Sequence, residues 1–391
     1  MFLKRVTINN HPLINDVDFE FSIPNGTDGS GMNYIVGQSG VGKTYLLETS
    51  FTTLIQPAGN IHLRINKKEF PYMTQFWDEN NASVNNVRFK EIDLNQDEPE
   101  ENFLYPTTLT SYSDHSGKKV TIKTLKSRDD KDYQKSFRNS GSGEIRIDRF
   151  MSKISSLLDE KVLVIEEPES FLDPINQIKI LSKIGELAKT RQVFITTHSP
   201  YIINWSYLAN GASLIKLNRN TTPNTSEAAL FKNESIAKLI AKPHKRTPHL
   251  SSIETKNIFF SDKVFLVEGH EDVGLITQYL DENKIDYDFV FFGFGAGGSS
   301  KIKDLLKLCK DLKISKVAAL FDRDEKDQGK HYEECKKLYS PVYQIEELKA
   351  QDIRDKADKT GVFTDDNKLK EDEFGKDFEE KLKSILDYFK S

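Results

Sequence analysis

Gly37-Gln38-Ser39-Gly40-Val41-Gly42-Lys43-Thr44 decides the fold of the first half of the chain. The run matches G-x-x-x-x-G-K-[ST] in full. It follows an apolar stretch, 32–36, that reads as a buried strand, and precedes a segment of helical character starting at Thr44. Glycines let successive backbone N–H groups curl around phosphate oxygens, and the helix N-terminus adds a positive dipole. In such a loop Lys43 reaches the β- and γ-phosphates and Thr44 ligates Mg²⁺. Downstream, the apolar strand 162–165 ends in Glu166-Glu167. A strand end beside a phosphate loop can hold Mg²⁺ with one carboxylate and polarise the attacking water with the other. His198 follows a further strand, 193–196, and could sense or orient the γ-phosphate.

A second acidic set lies far away in the sequence. Val267-Glu268-Gly269-His270-Glu271-Asp272 follows the strand 264–267, and Asp322-Arg323-Asp324 follows the strand 317–321. Parallel strands end at the same edge of a sheet, so Glu268, Asp272, Asp322 and Asp324 are expected to converge. Carboxylates gathered this way repel one another unless cations neutralise them, and hard oxygen ligands suit Mg²⁺ or Mn²⁺. Two such ions about 4 Å apart activate water and stabilise the leaving oxygen in phosphodiester cleavage. Glu346 or Glu347, after a last short strand, could add a ligand or simply begin a solvated helix. The glycine-rich turn 293–300 could approach a phosphate or close a βα junction.

The rest of the chain supplies the frame. Strands alternate with helices, which argues for an α/β fold with a mostly parallel sheet. The expected division is an ATPase domain over 1–215 with an irregular insertion at about 61–138, a linker at 216–260, a smaller α/β unit at 261–347 and a charged helical segment at 348–391. Of 391 residues, 29% are charged and 37% hydrophobic, the balance of a soluble globular protein. The net charge of −5 excludes an argument for nucleic-acid binding from overall charge. Such contacts would come from local basic runs, Lys118-Lys119 with Lys123, Lys126 and Arg128, and Lys242 with Lys245 and Arg246. Two cysteines, Cys309 and Cys335, do not make a disulfide framework, and no run reaches the ~18 apolar residues of a membrane span, so a cytoplasmic protein is expected.

Three further segments carry a resemblance. Ser140-Gly141-Ser142-Gly143-Glu144 resembles the signature loop of ABC-type ATPases, Ser170-Phe171-Leu172-Asp173-Pro174 their D-loop, and Thr197-His198-Ser199-Pro200 the switch-histidine segment of the SMC-like and OLD-family branch. E-G-x-x-D followed by D-x-D resembles the TOPRIM domain of topoisomerases, primases and OLD nucleases. An ABC-type head joined to a TOPRIM domain is the arrangement of the OLD (overcoming lysogenisation defect) family, and the likeness covers most of residues 1–347. It implies a Rossmann-like second domain, Glu167 as catalytic base, Asp173 near the nucleotide, and Ser140–Glu144 contacting ATP held by a second subunit of a homodimer. Gln75 is the candidate Q-loop ligand, with Gln56 competing. The resemblance further implies a metal-dependent endonuclease or nickase acting on DNA, with RNA or tRNA, or a non-cleaving sensor, as alternatives. Compact effectors of this kind occur in bacterial anti-phage systems, some beside retron reverse transcriptases, which would then be partners. Glu166 departs from the aspartate usual at the Mg²⁺ position, and Ser142 stands where glycine is common, so slow turnover is expected.

Overall fold

The computed structural model describes residues 2–9, 14–43, 46, 161–170, 172–220, 225–231, 252–323 and 329–391, and as backbone strands 61–65, 68–78, 104–113 and 119–127. The chain divides into two compact units, Met1–Asn233 and Glu234–Ser391.

The first unit opens with β1 (Leu3–Asn9), β2 (Val17–Glu20) and β3 (Met32–Gly37). It continues with β4 (Ile61–Ile65), β5 (Lys68–Asp78), β6 (Leu104–Ser113), β7 (Lys119–Ser127) and β8 (Val162–Glu166). Helix α1 (Pro174–Leu187), β9 (Gln192–Thr196), the short helix α2 (Trp205–Ala209), β10 (Ser213–Arg219) and β11 (Ser226–Phe231) complete it. Among the described residues these strands form a seven-stranded sheet, β11-β10-β3-β9-β8-β7-β6, and a four-stranded antiparallel sheet, β2-β1-β5-β4. The five central strands of the larger sheet run parallel. Every residue of β3, β8 and β9 is buried, as expected of parallel strands covered on both faces.

The stretch 61–138 supplies strands to both sheets: β7 pairs in parallel with β8 inside the main sheet and β5 pairs with β1. One expected boundary needs correction, that of the linker at 216–260. Strand β10 pairs antiparallel with β11, so the strands of the first unit run on to Phe231.

The second unit starts with a 3-10 turn, Glu254–Phe259, whose Ile258 and Phe259 are buried. There follow β12 (Lys263–Leu266), α3 (His270–Glu282), β13 (Val290–Phe291), α4 (Ser299–Asp311), β14 (Lys316–Phe321), α5 (Lys330–Tyr339) and β15 (Gln344–Glu347). These strands make an all-parallel sheet, β13-β12-β14-β15. A small parallel pair, β16 (Asp352–Arg354) and β17 (Gly361–Phe363), precedes the last helix, α6 (Glu373–Lys390). Both cysteines are buried free thiols. Among the described residues no helix is long and apolar enough to cross a membrane.

The charged helical segment at the C-terminal end belongs to the core of the second unit. Phe378, Leu382, Ile385, Leu386 and Phe389 of α6 are buried together with Phe265, Leu275, Ile276 and Phe363. Their spacing is that of one helical face; the many Lys and Glu residues between them give the segment its charged composition. Phe389 stacks on Phe289 with ring centroids 4.9 Å apart. We predict that Phe378→Ala destabilises the second unit by about 3–5 kcal/mol, whereas Glu380→Ala, on the exposed face, changes it by less than about 0.5 kcal/mol. Urea denaturation followed by hydrogen exchange within β12 and β14 checks this; equal stability of the two variants refutes the packing.

Candidate functional site

Three parallel neighbours, β3, β9 and β8, end at one edge of the large sheet and deliver the phosphate loop, His198 and Glu166-Glu167 there. The loop starts at Gly37 with φ 143°, where an added Cβ would lie 2.5 Å from the Leu217 carbonyl oxygen of the neighbouring strand. Only glycine satisfies both the backbone angle and the close approach. Gly40 and Gly42 also have positive φ. Gln38, Ser39 and Gly40 are exposed and Val41 is buried, its carbonyl accepting from Ser226 Oγ at 2.7 Å.

Lys43 Nζ donates to the carbonyls of Gly37 and Gln38, both at 3.0 Å, and lies 3.3 Å from His198 Nδ1. On the far side of the ring, Nε2 is 3.3 Å from Glu167 Oε1. The three side chains thus form one chain across the site. Burial lowers the Lys43 pKa to about 8 against the pull of Glu167 and Glu169. Burial also lowers that of His198, helped by Lys43 and opposed by Glu167. Glu167 itself sits at φ 43°, an uncommon conformation for a non-glycine residue and one that recurs at functional sites. Glu166, nine-tenths buried, closes β8.

The remaining expected ligands divide. Thr44 and Ser140–Glu144 lie outside the described residues. Asp173 caps α1, accepting from the backbone N–H groups of Ile175 at 3.0 Å and Asn176 at 3.1 Å. Gln75 lies within β5, opposite Thr7 of β1, and so in a strand rather than a loop. Gln56 is outside the described residues. Sequence reading passed over Glu169, two residues beyond the carboxylate pair. Its Oε1 accepts from Thr197 Oγ1 at 2.8 Å and from the His198 backbone N–H at 2.7 Å.

In the second unit, β12 and β14 are parallel neighbours, and the groups that follow them meet as the topology requires. The Asp322 N–H donates to Glu268 Oε1 at 3.2 Å. Asp272 is buried, and its Oδ2 accepts from the Gly269 N–H at 2.6 Å, so it also caps the helix that carries it. Burial, then the charge of Asp352, pushes the Asp272 pKa up to about 7. Asp322 is raised well above the usual carboxylate range, first by burial and then by Asp272, Glu268 and Asp352. The glycine-rich turn closes a junction: the N–H groups of Gly297 and Gly298 donate to the Glu268 carbonyl at 2.8 and 2.9 Å.

Asp352 is the member that sequence reading missed. It is buried, accepts from Lys356 Nζ at 2.9 and 2.8 Å and from Lys359 at 3.4 Å, and adds to the charge felt by Asp322. It sits on β16, outside the strand-end pattern, and nothing in its spacing marks it. Glu346 is placed elsewhere: it pairs with Lys381 at 3.1 Å and accepts from Gln344 and Ser384. Asp324 lies outside the described residues. Among the described residues no three ligand groups are gathered tightly enough to cage an ion. The donor chemistry still fits a hard divalent cation, because carboxylates that raise one another's pKa are what such an ion relieves.

Comparison with known proteins follows this geometry. A model described as "AAA domain, putative AbiEii toxin, Type IV TA system" matches residues 51–204, beginning after the phosphate loop. A second, "Overcoming lysogenization defect protein-like, TOPRIM domain", matches residues 259–324. The chain pairs an AAA-type ATPase domain with an OLD-like TOPRIM domain. A curated relative, "Endonuclease GajA" of Bacillus cereus (strain HuB5-5), is 33% identical over 140 residues, which is 31% of this chain and 20% of that protein. The chain therefore matches about a fifth of that relative's length. Among solved structures, the SMC head domain from Thermotoga maritima covers 59% of this chain and 100% of its own at 13% identity and a TM-score of 0.33. An ATP-binding cassette of an ABC transporter in its ADP conformation covers 62% and 97% at 13% identity and a TM-score of 0.31.

The TOPRIM geometry separates Asp352 from Glu346. Asp352→Asn should weaken Mn²⁺ binding at least threefold, and Glu346→Gln should change it less than twofold. Electron paramagnetic resonance titration of free Mn²⁺ measures both; the reverse order would overturn the placement.

Proposed function

We propose that this protein is an ATP-controlled, metal-dependent endonuclease that cuts or nicks DNA. The observation that carries the reading is the meeting of Glu268 with Asp322 at the ends of two parallel strands, in a domain of OLD-like TOPRIM type. Glu268, Asp322 and Asp324, with Asp272 beside them, would hold Mg²⁺ or Mn²⁺. A divalent ion there supplies Lewis acidity toward a phosphodiester and a bound water of lowered pKa. The chain's own residues do the rest. The glycine turn fixes the Glu268 backbone, the Gly269–Asp272 bond fixes the start of α3, and Lys356 and Lys359 offset the charge of Asp352.

In the first unit, Lys43 and Thr44 would bind the phosphates and Mg²⁺ of ATP, joined by Glu166. Glu167 would act as base toward the attacking water, and His198, held between Lys43 and Glu167, would face the γ-phosphate. Ser140–Glu144 and Asp173 would complete the site of a second copy in a homodimer. Two exposed isoleucines on the helix capped by Asp173, Ile175 and Ile178, support a contact surface on that side. A place in anti-phage defence, with or without a reverse-transcriptase partner, follows from the same family resemblance.

A non-cleaving sensor is the second reading, favoured by Glu166 at the Mg²⁺ position and by Ser142 in the signature loop. Plasmid cleavage separates the two. Wild-type protein with Mg²⁺ or Mn²⁺ should nick or linearise supercoiled DNA, Asp322→Ala should lose at least a hundredfold of that rate, and ATP binding should be unchanged in the variant. Cleavage persisting in Asp322→Ala refutes the nuclease reading, and cutting of RNA alone in a parallel assay moves the substrate from DNA to RNA.

A further inference from the structure

The acidic turn after β8 carries a third carboxylate whose partners are unlike those of the first two. Glu166 ends the strand and Glu167 reaches the His198 ring, but Glu169 turns toward the backbone of the switch segment. One oxygen, Oε1, accepts both from Thr197 Oγ1 at 2.8 Å and from the His198 N–H at 2.7 Å. Thr197 Oγ1 in turn accepts from the Ser199 N–H at 2.9 Å. The peptide on each side of His198 is therefore tied, directly or through one hydroxyl, to a single carboxylate oxygen. A second tie runs from the same switch segment to α1, with Ser199 Oγ donating to Gln177 Oε1 at 2.5 Å.

This arrangement is costly. Burial raises the Glu169 pKa, its hydrogen bonds oppose that rise, and the nearby charge of Glu167 adds to it. The other oxygen, Oε2, is buried with no hydrogen-bond partner among the described residues. A carboxylate kept in such a place needs a return, and the groups it holds show what that is. His198 has Lys43 Nζ 3.3 Å from one ring nitrogen and Glu167 Oε1 3.3 Å from the other, so a small rotation of its peptide would break both contacts.

We infer that Glu169 is a positioning residue for ATP turnover: by fixing the Thr197–His198 peptide it holds the imidazole between Lys43 and Glu167. This rests on the reading that the phosphate-loop site hydrolyses ATP. The charge of Glu169 is not what matters; the acceptor geometry of Oε1 is. Glutamine keeps that acceptor, and its amide nitrogen takes the place of Oε2, which has no hydrogen bond to lose.

The test compares Glu169→Ala and Glu169→Gln in the full chain. Glu169→Ala should lower kcat for ATP about tenfold or more, with KM for ATP within twofold of wild type, which also shows that the site is folded. Glu169→Gln should stay within threefold of wild type in both constants. The His198 imidazole resonances, assigned with His198→Gln, should move in Glu169→Ala and stay in place in Glu169→Gln. Wild-type kcat in Glu169→Ala, or a loss in Glu169→Gln as deep as in Glu169→Ala, overturns the inference. A wild-type protein without ATP turnover sinks the ATPase reading instead, and the His198 resonances then decide alone: no movement in Glu169→Ala overturns the positioning role.

Discussion

Parallel strands carry their carboxyl ends to one edge of a sheet, and both chemical sites of this chain are built on that constraint. In the first unit it joins Lys43, Glu167 and His198, which are far apart in sequence, because β3, β9 and β8 are neighbours. In the second it joins Glu268 to Asp322 through the pairing of β12 with β14. Ligand crevices at the carboxyl ends of strands are the general rule for open α/β sheets. The glycines serve the same constraint locally. Gly37 clears the Leu217 carbonyl, and Gly295, with φ 97° and an added Cβ only 2.6 Å from Gly269, lets the glycine turn lie against the strand end that bears Glu268.

The two edges handle charge differently. At the phosphate loop, acidic and basic groups alternate, with Lys43 and His198 set beside Glu167, so the protein itself supplies balance in the absence of nucleotide. At the TOPRIM edge the cations pair with Glu271 and Asp352. Lys356 bridges Asp352 and Glu271, and Arg354 holds Glu271 at 2.7 Å, while Asp322 and Asp272 press on each other. The charges of Lys356 and Lys359 reach Asp272 and Asp322, but burial and the neighbouring carboxylates outweigh them.

Much of this was legible in the sequence because the motifs sit where strands end. The phosphate loop, the Glu166-Glu167 pair, His198 and the Glu268–Asp322 convergence follow from motif spacing and strand placement alone. Asp352 was not legible, since it reaches the cluster from β16 by tertiary folding rather than by strand-end spacing. Glu169 had a signal, a third acid two residues after the Glu166-Glu167 pair, but its contacts with Thr197 and His198 are visible only in the structure. Glu346 looked like a ligand because it lies on the strand beside Asp322, yet Lys381 of α6 holds it. That helix hides its core face in the sequence because its lysines and glutamates outnumber the aromatic and aliphatic residues that it buries.

The packing of α6 has a consequence for biosynthesis. The strands that present Glu268 and Asp322 leave the ribosome before Phe378, Leu382 and Phe389, which close the hydrophobic layer behind them. Until that helix emerges, an apolar sheet face stays open to solvent and to chaperones, and the acidic edge has no rigid support. A nascent chain of this design thus completes the layer behind its acidic edge only once translation has passed the helix.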